Sequence, residues 1–174
     1  SGESSKRLDA DVKGLHGRWL GKSVPYALGG AGKQAKRACM LAMRGKGGGV
    51  KFSRMSGIQE WKNAVALFVN VGGVEYENFF LEGGKKMTWF AQQRQSQETP
   101  VILRMLSQTT PIVLFARLPS QPYVFLGTLV YCSHDPSIRP MQFVWSLKHY
   151  DTIQSIPKVQ EIFRGEEGGG GGEE

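Results

Sequence analysis

Imidazole and thiol are scarce in this chain, and their scarcity removes most enzyme chemistry at once. The histidines are His16, His134 and His149; the cysteines are Cys39 and Cys132. No histidines stand at a metal-ligand spacing such as HxH or HExxH. Two cysteines are too few for a zinc site or a disulfide scaffold, and both read as free thiols in a reducing compartment. Cys132 ends the apolar stretch TLVYC, where cysteine is expected in the core rather than as a nucleophile beside His134. Ser133, His134 and Asp135 are contiguous, which forbids triad geometry, and no GxSxG elbow occurs. Carboxylates are thin across the middle of the chain: Glu60, Glu75, Glu77, Glu82, Glu98, Asp135 and Asp151. Glu75 and Glu77 share one face of an expected strand but have no clear third ligand for a nuclease metal. The segment Gly29–Lys33, GGAGK, lacks the Ser or Thr after lysine and the preceding strand of a phosphate loop. No apolar run approaches the roughly 18 residues of a membrane span, and no signal-peptide pattern opens the chain. The expectation is an intracellular, nuclear, non-enzymatic chain with no metal, no cofactor and no membrane partner.

What is present is positive charge, unevenly placed. The formal net charge is +7 over 174 residues. Four acids, Glu166, Glu167, Glu173 and Glu174, sit in a C-terminal GEEGGGGGEE tail that reads as disordered. Residues 1–57 form a basic, glycine-rich N-terminal extension, with only Glu3, Asp9 and Asp11 as acids. Such a segment suits phosphate-bearing partners, because neutralising phosphates releases counterions; a solubilising arm is the plainer alternative. Within it, Ala31–Arg44 reads as a short helix. Ala35, Cys39, Ala42 and Met43 share a face, and Gly45 serves as C-cap.

Residues 58–164 read as the folded core, and residues 165–174 as the tail. Strands are expected at Ala64–Val71, Val74–Leu81, Lys86–Gln92, Pro111–Arg117, Tyr123–Ser133 and Met141–Leu147. Gly72-Gly73 signals a hairpin between the first two, and Gly127 marks a bulge or bend. Glu98–Gln108 is helix-like, with Thr99-Pro100 as N-cap and N1 and a stripe of Val101, Ile102, Met105 and Leu106. Ile153–Arg164 reads as a final strand or a short helix broken by Pro157. The fold class is α+β: a curved mixed sheet or open barrel of five to six strands with one or two short helices.

The segment Met87–Gln97, MTWFAQQRQSQ, is the most unusual stretch. Trp89 and Phe90 offer stacking faces. Gln92, Gln93, Gln95 and Gln97 offer aimed donors and acceptors, and Arg94 suits phosphate. It contains no acid, thiol or imidazole, so it is built to bind; a strand end entering a solvated loop is the alternative. Trp89 and Phe90 alternate across a strand, so one faces in and one out.

Around that segment, YENFFLEGGKKMTWFAQQRQSQETP, PIVLFARL and PYVFLGTLVYCSHDPSIRPMQFVWSL resemble the PUA-like superfamily. The chain is similar in particular to the PUA-like domain appended to some bacterial superfamily II helicases and restriction-type proteins. The carrying residues are Trp89 to Gln97, Leu114 to Arg117, Tyr123 to Gly127 and Pro140 to Leu147, within roughly residues 60–150. The resemblance implies a nucleic-acid reader. The superfamily includes SET- and RING-associated domains, which flip a modified cytosine between aromatics, and also EVE-type readers and RNA-binding PUA domains. On this reading the partner is double-stranded DNA, modified bases included, with RNA or a protein-interaction role as alternatives. The candidate binding residues are Tyr76, Lys85, Lys86, Trp89, Phe90, Gln92, Arg94, Arg117 and Tyr123, joined by Lys33, Lys36 and Arg37 of the basic segment. Gln92 is the expected base-edge reader, and Phe143 and Trp145 are assigned to core.

Overall fold

The computed structural model describes residues 7–45, 49–72 and 79–168. Its centre is set by two strands that are apolar on both faces. In β2 (Val65–Asn70), Val65, Leu67 and Val69 enter one core while Ala66 and Phe68 enter another. In β5 (Ile112–Arg117), Ile112, Leu114 and Ala116 divide from Val113 and Phe115 in the same way. Strands buried on both sides suit a parallel pair, and β2 and β5 run parallel, Val65 opposite Ile112 through Asn70 opposite Arg117. With β1 (Ile58–Glu60), β3 (Phe79–Leu81), β4 (Lys86–Phe90), β6 (Val124–Asp135) and β7 (Gln142–Leu147) they form one curled half-barrel sheet, ordered β1-β2-β5-β6-β7-β4-β3. Every other pairing is antiparallel.

The class is α+β as expected, with seven strands among the described residues rather than five or six. The added strand, β1, is only three residues long, too short to carry a readable period. β2 pairs with β1 and β5, and β3 lies at the far edge against β4, so the described strands are not the pair expected across Gly72-Gly73; residues 73–78 lie outside the described residues. β2, apolar on both faces, lies where the two cores flank the sheet. Gly127 does mark a bulge. The β5–β6 register shifts between Leu114 and Phe115, and Gly127 takes φ +92°. The alternation of Met141, Phe143, Trp145 and Leu147 holds, all four being buried.

Helices cover one sheet face along most of its width and the other over β2, β5 and the start of β6. On one side, α3 (Pro100–Leu106), α4 (Tyr150–Ile153) and α5 (Pro157–Arg164) bring Ile102, Met105, Ile153, Val159 and Ile162 against Trp89, Phe143 and Trp145. Thr99 and Pro100 start α3 as read from sequence. Pro157 starts α5 at its first turn instead of breaking it, where its missing N–H costs nothing. Gly165 caps α5 in the left-handed conformation; residues 169–174 of the tail lie outside the described residues.

On the other side, α1 (Val12–Trp19) and α2 (Ala35–Arg44) set Leu15, Ala38, Cys39 and Met43 against Phe68, Phe115, Tyr123 and Phe125. The helix expected over Ala31–Arg44 begins four residues later, after Gly30 and Gly32 at positive φ, and Gly45 is its left-handed C-cap. The basic N-terminal segment is therefore a layer of the fold. Cys39 is buried in that layer, whereas Cys132 is exposed, correcting its expected place in the core. The β6–β7 register shifts between Tyr131 and Ser133, and that irregularity leaves Cys132 facing water.

Candidate nucleic-acid interface

The in-register ends of the two parallel strands place Asn70 beside Arg117. Arg117 Nε donates to Asn70 Oδ1 at 2.7 Å and Nη1 to the Gln121 carbonyl at 3.4 Å. Its guanidinium carbon lies 4.5 Å from the centre of the Tyr123 ring, a cation–π distance. Tyr123 in turn meets Phe68 edge-on at 5.1 Å. Above this floor runs α2. Lys36 sets its ammonium 5.5 Å over the Phe68 ring and donates to the carbonyls of Arg54 and Ser56, at 3.0 and 2.8 Å. Burial, and then the nearby Arg117 charge, push the Lys36 pKa below the ordinary lysine value. Arg37 is anchored through Nε to the Gly29 carbonyl at 3.0 Å, while Lys33 and Arg54 are exposed.

These residues enclose a cleft of about 470 Å³, with Phe52 adding a third aromatic wall. Five cations, Lys33, Lys36, Arg37, Arg54 and Arg117, line it, and no carboxylate does. The ion pairs among the described residues are Arg7–Glu60, Lys86–Glu82, Arg104–Glu60 and Lys158–Glu161; none involves a cleft cation. The adjoining Cys39 offers no negative charge, because burial raises its thiol pKa well above the usual range. Positive charge gathered over a buried aromatic floor with no internal counter-charge is suited to a phosphate-bearing ligand.

A larger cavity, about 740 Å³, lies by Trp61 between Arg7, Val50, Lys51 and Glu60. There Glu60 pairs with both Arg7 and Arg104, so its charge is already balanced. A third cleft, about 330 Å³, runs along Gln95–Glu98 to Arg139 and Met141. It holds one acid and one cation, and Gln97 there meets His134 Nε2 at 2.9 Å. Among the described residues, no group of three or more His, Cys, Asp or Glu is placed to hold a metal ion, and no helix is long and apolar enough to cross a membrane. The basic cleft is the candidate site.

Of the sequence candidates, Lys33, Lys36, Arg37, Arg117 and Tyr123 converge on this cleft. The others do not join them. Trp89 is 5% exposed and packs on Phe143 at 5.5 Å, so it fills the core and its face is closed to a base. Phe90 is half-buried on the opposite sheet face. Gln92 and Arg94 are exposed in the loop after β4, where the Gln92 N–H is held by Gln95 Oε1 at 2.9 Å. Lys86 pairs with Glu82 at 3.4 Å, and Lys85 lies 5.8 Å over Tyr150. In the sheet order, β6 and β7 separate β4 from β5, so that group is remote from the Arg117 end. Tyr76 lies outside the described residues. Phe52, Arg54, Phe68 and Asn70 escaped sequence reading. Lys51-Phe52-Ser53-Arg54 was the available signal, an aromatic between cations.

No protein-family model and no curated protein matches this chain. Function must be argued from the cleft.

Proposed function

We propose that this chain is a non-catalytic DNA-binding domain that holds phosphates, and a base between them, in the cleft formed by α2, the loop 52–57 and the ends of β2 and β5. One observation carries the reading: five cations over Phe52, Phe68 and Tyr123, with no carboxylate in the lining. Phosphodiester supplies the missing negative charge, and half-buried Phe52 offers a face for a base, whereas Phe68 and Tyr123 are buried beneath Lys36 and Arg117 and serve as floor. The resemblance of residues 60–150 to PUA-like readers of modified or flipped bases points the same way, and its special case is recognition of such a base here. RNA offers the same phosphates, so it belongs among the ligands compared.

The test is fluorescence-anisotropy binding of unmodified, methylated and hydroxymethylated DNA duplexes, single-stranded DNA and RNA across salt. Affinity should fall by a decade or more between about 50 and about 200 mM salt if several phosphates are contacted. The double variant Lys33→Glu, Arg54→Glu should bind at least about tenfold more weakly, with a salt slope shallower by about one per lost contact. Both side chains are exposed, so the fold is preserved. No binding of any of these nucleic acids at low salt refutes the reading.

A further inference from the structure

Met55 is 93% exposed, whereas the other exposed large apolar side chains among the described residues range from 40 to 53%. A methionine so fully in water would be unremarkable on a loose loop. This loop is held. Gln59, itself buried, donates Nε2 to the Ser53 and Ser56 carbonyls at 2.7 and 3.0 Å and accepts the Ser53 N–H at 3.2 Å. From the other side, Lys36 Nζ fixes the carbonyls of Arg54 and Ser56. The two residues flanking Met55 are thus fastened by two side chains from β1 and α2. Ser56 N–H is further taken by Ser53 Oγ at 3.3 Å. A turn fixed at its base and carrying an unpartnered apolar tip is pre-organised for insertion, because little ordering remains to be done on binding.

The surroundings say what it inserts into. Arg54 precedes Met55 directly, and Lys33, Arg37 and Arg117 share the cleft beside it. We propose that Met55 is a wedge that enters between two neighbouring bases of DNA while the cleft cations hold the adjoining phosphates. The proposal rests on the nucleic-acid reading of the cleft and names its substrate class: a duplex with a weakened base step. Apolar wedges of this kind separate stacked bases, and the separation costs least where a mismatch or damaged base already weakens the stack. An unbranched thioether adapts to such a gap better than a branched side chain.

The experiment uses the whole chain and two duplexes, one matched and one mismatched, each carrying 2-aminopurine beside the test step. Its fluorescence rises when the base leaves the stack. The parent should bind the mismatched duplex about tenfold more tightly, within the range for one altered pair, and should raise its fluorescence. Met55→Ala should lose that preference and the fluorescence rise while keeping the parent's salt slope. Met55→Leu should restore part of both. Binding of both duplexes with no fluorescence change, or a Met55→Ala variant that keeps the rise, overturns the wedge and leaves the cleft reading standing. Failure of both duplexes to bind at low salt overturns the wedge, and the cleft reading falls with it where single-stranded DNA and RNA fail to bind as well.

Discussion

Arg117 shows how one side chain joins fold to site. It is half-buried, its Nε donates to Asn70, and its guanidinium carbon lies over Tyr123. Lysine keeps the charge but has neither the planar face nor the fork. Arg117→Lys should therefore lower stability by about 1–2 kcal/mol in urea unfolding, through the lost charged hydrogen bond and ring contact. It should also weaken nucleic-acid binding although the net charge is unchanged. Equal stability and affinity in the two forms would show that charge alone matters here. Sequence reading placed Arg117 among the phosphate candidates for its position at a strand end, but it could not supply Asn70, because that neighbour exists only through the β2–β5 register. Trp89 was illegible for a related reason. Alternation says that Trp89 and Phe90 point oppositely, but both are aromatic, and which of them meets the core is set by the β4–β7 register, which puts Trp89 opposite buried Phe143.

At the level of elements, legibility followed the strength of the local pattern. The run in β2, the run in β5 and the alternation in β7 each specify a strand with little help from the rest of the chain. Helix α1, VKGLHGRW, carries two glycines and a single buried residue, so its sequence gives no stripe to read. Its start is fixed instead by Asp11, which accepts the Gly14 N–H at 3.0 Å. Pairing was less legible than strand existence: Gly72-Gly73 permits a turn but does not choose partners. Gly127 is the exception, a single residue whose conformation shapes a long strand. A Cβ there would lie 2.6 Å from His149 Cδ2 and 3.0 Å from Leu20 Cδ1, in a backbone already at φ +92°. Gly127→Ala should cost roughly 1–3 kcal/mol for the backbone alone, with a further loss from the clash. A fall in the urea midpoint at unchanged m-value is the expected result; an unaltered midpoint would mean that β6 can re-register without the bulge.

For the molecule as a whole, charge and core sit in the same layer. Residues 1–57 read as an extension because glycine and lysine dominate their composition, yet their sparse apolar residues, Leu15, Ala38, Cys39 and Met43, cover Phe68, Phe115 and Phe125. Removing that segment would leave one face of β2, β5 and β6 bare, an apolar patch of the kind that drives association or loosens packing. A chain beginning at residue 58 should therefore lose cooperative urea unfolding, bind a hydrophobic dye and elute as aggregate, while the full chain unfolds in one step. The same shortened chain would also lose Lys33, Lys36, Arg37 and Arg54 from the cleft, so its failure to bind nucleic acid would not separate misfolding from lost contacts. Charge reversal at exposed positions makes that separation, because it changes the field of the cleft and leaves the aromatic core covered. A shortened chain that unfolds cooperatively near the parent's midpoint would show that the opposite core, built around Trp89, Phe143 and Trp145, holds the sheet by itself, and that the basic layer is there for its ligand.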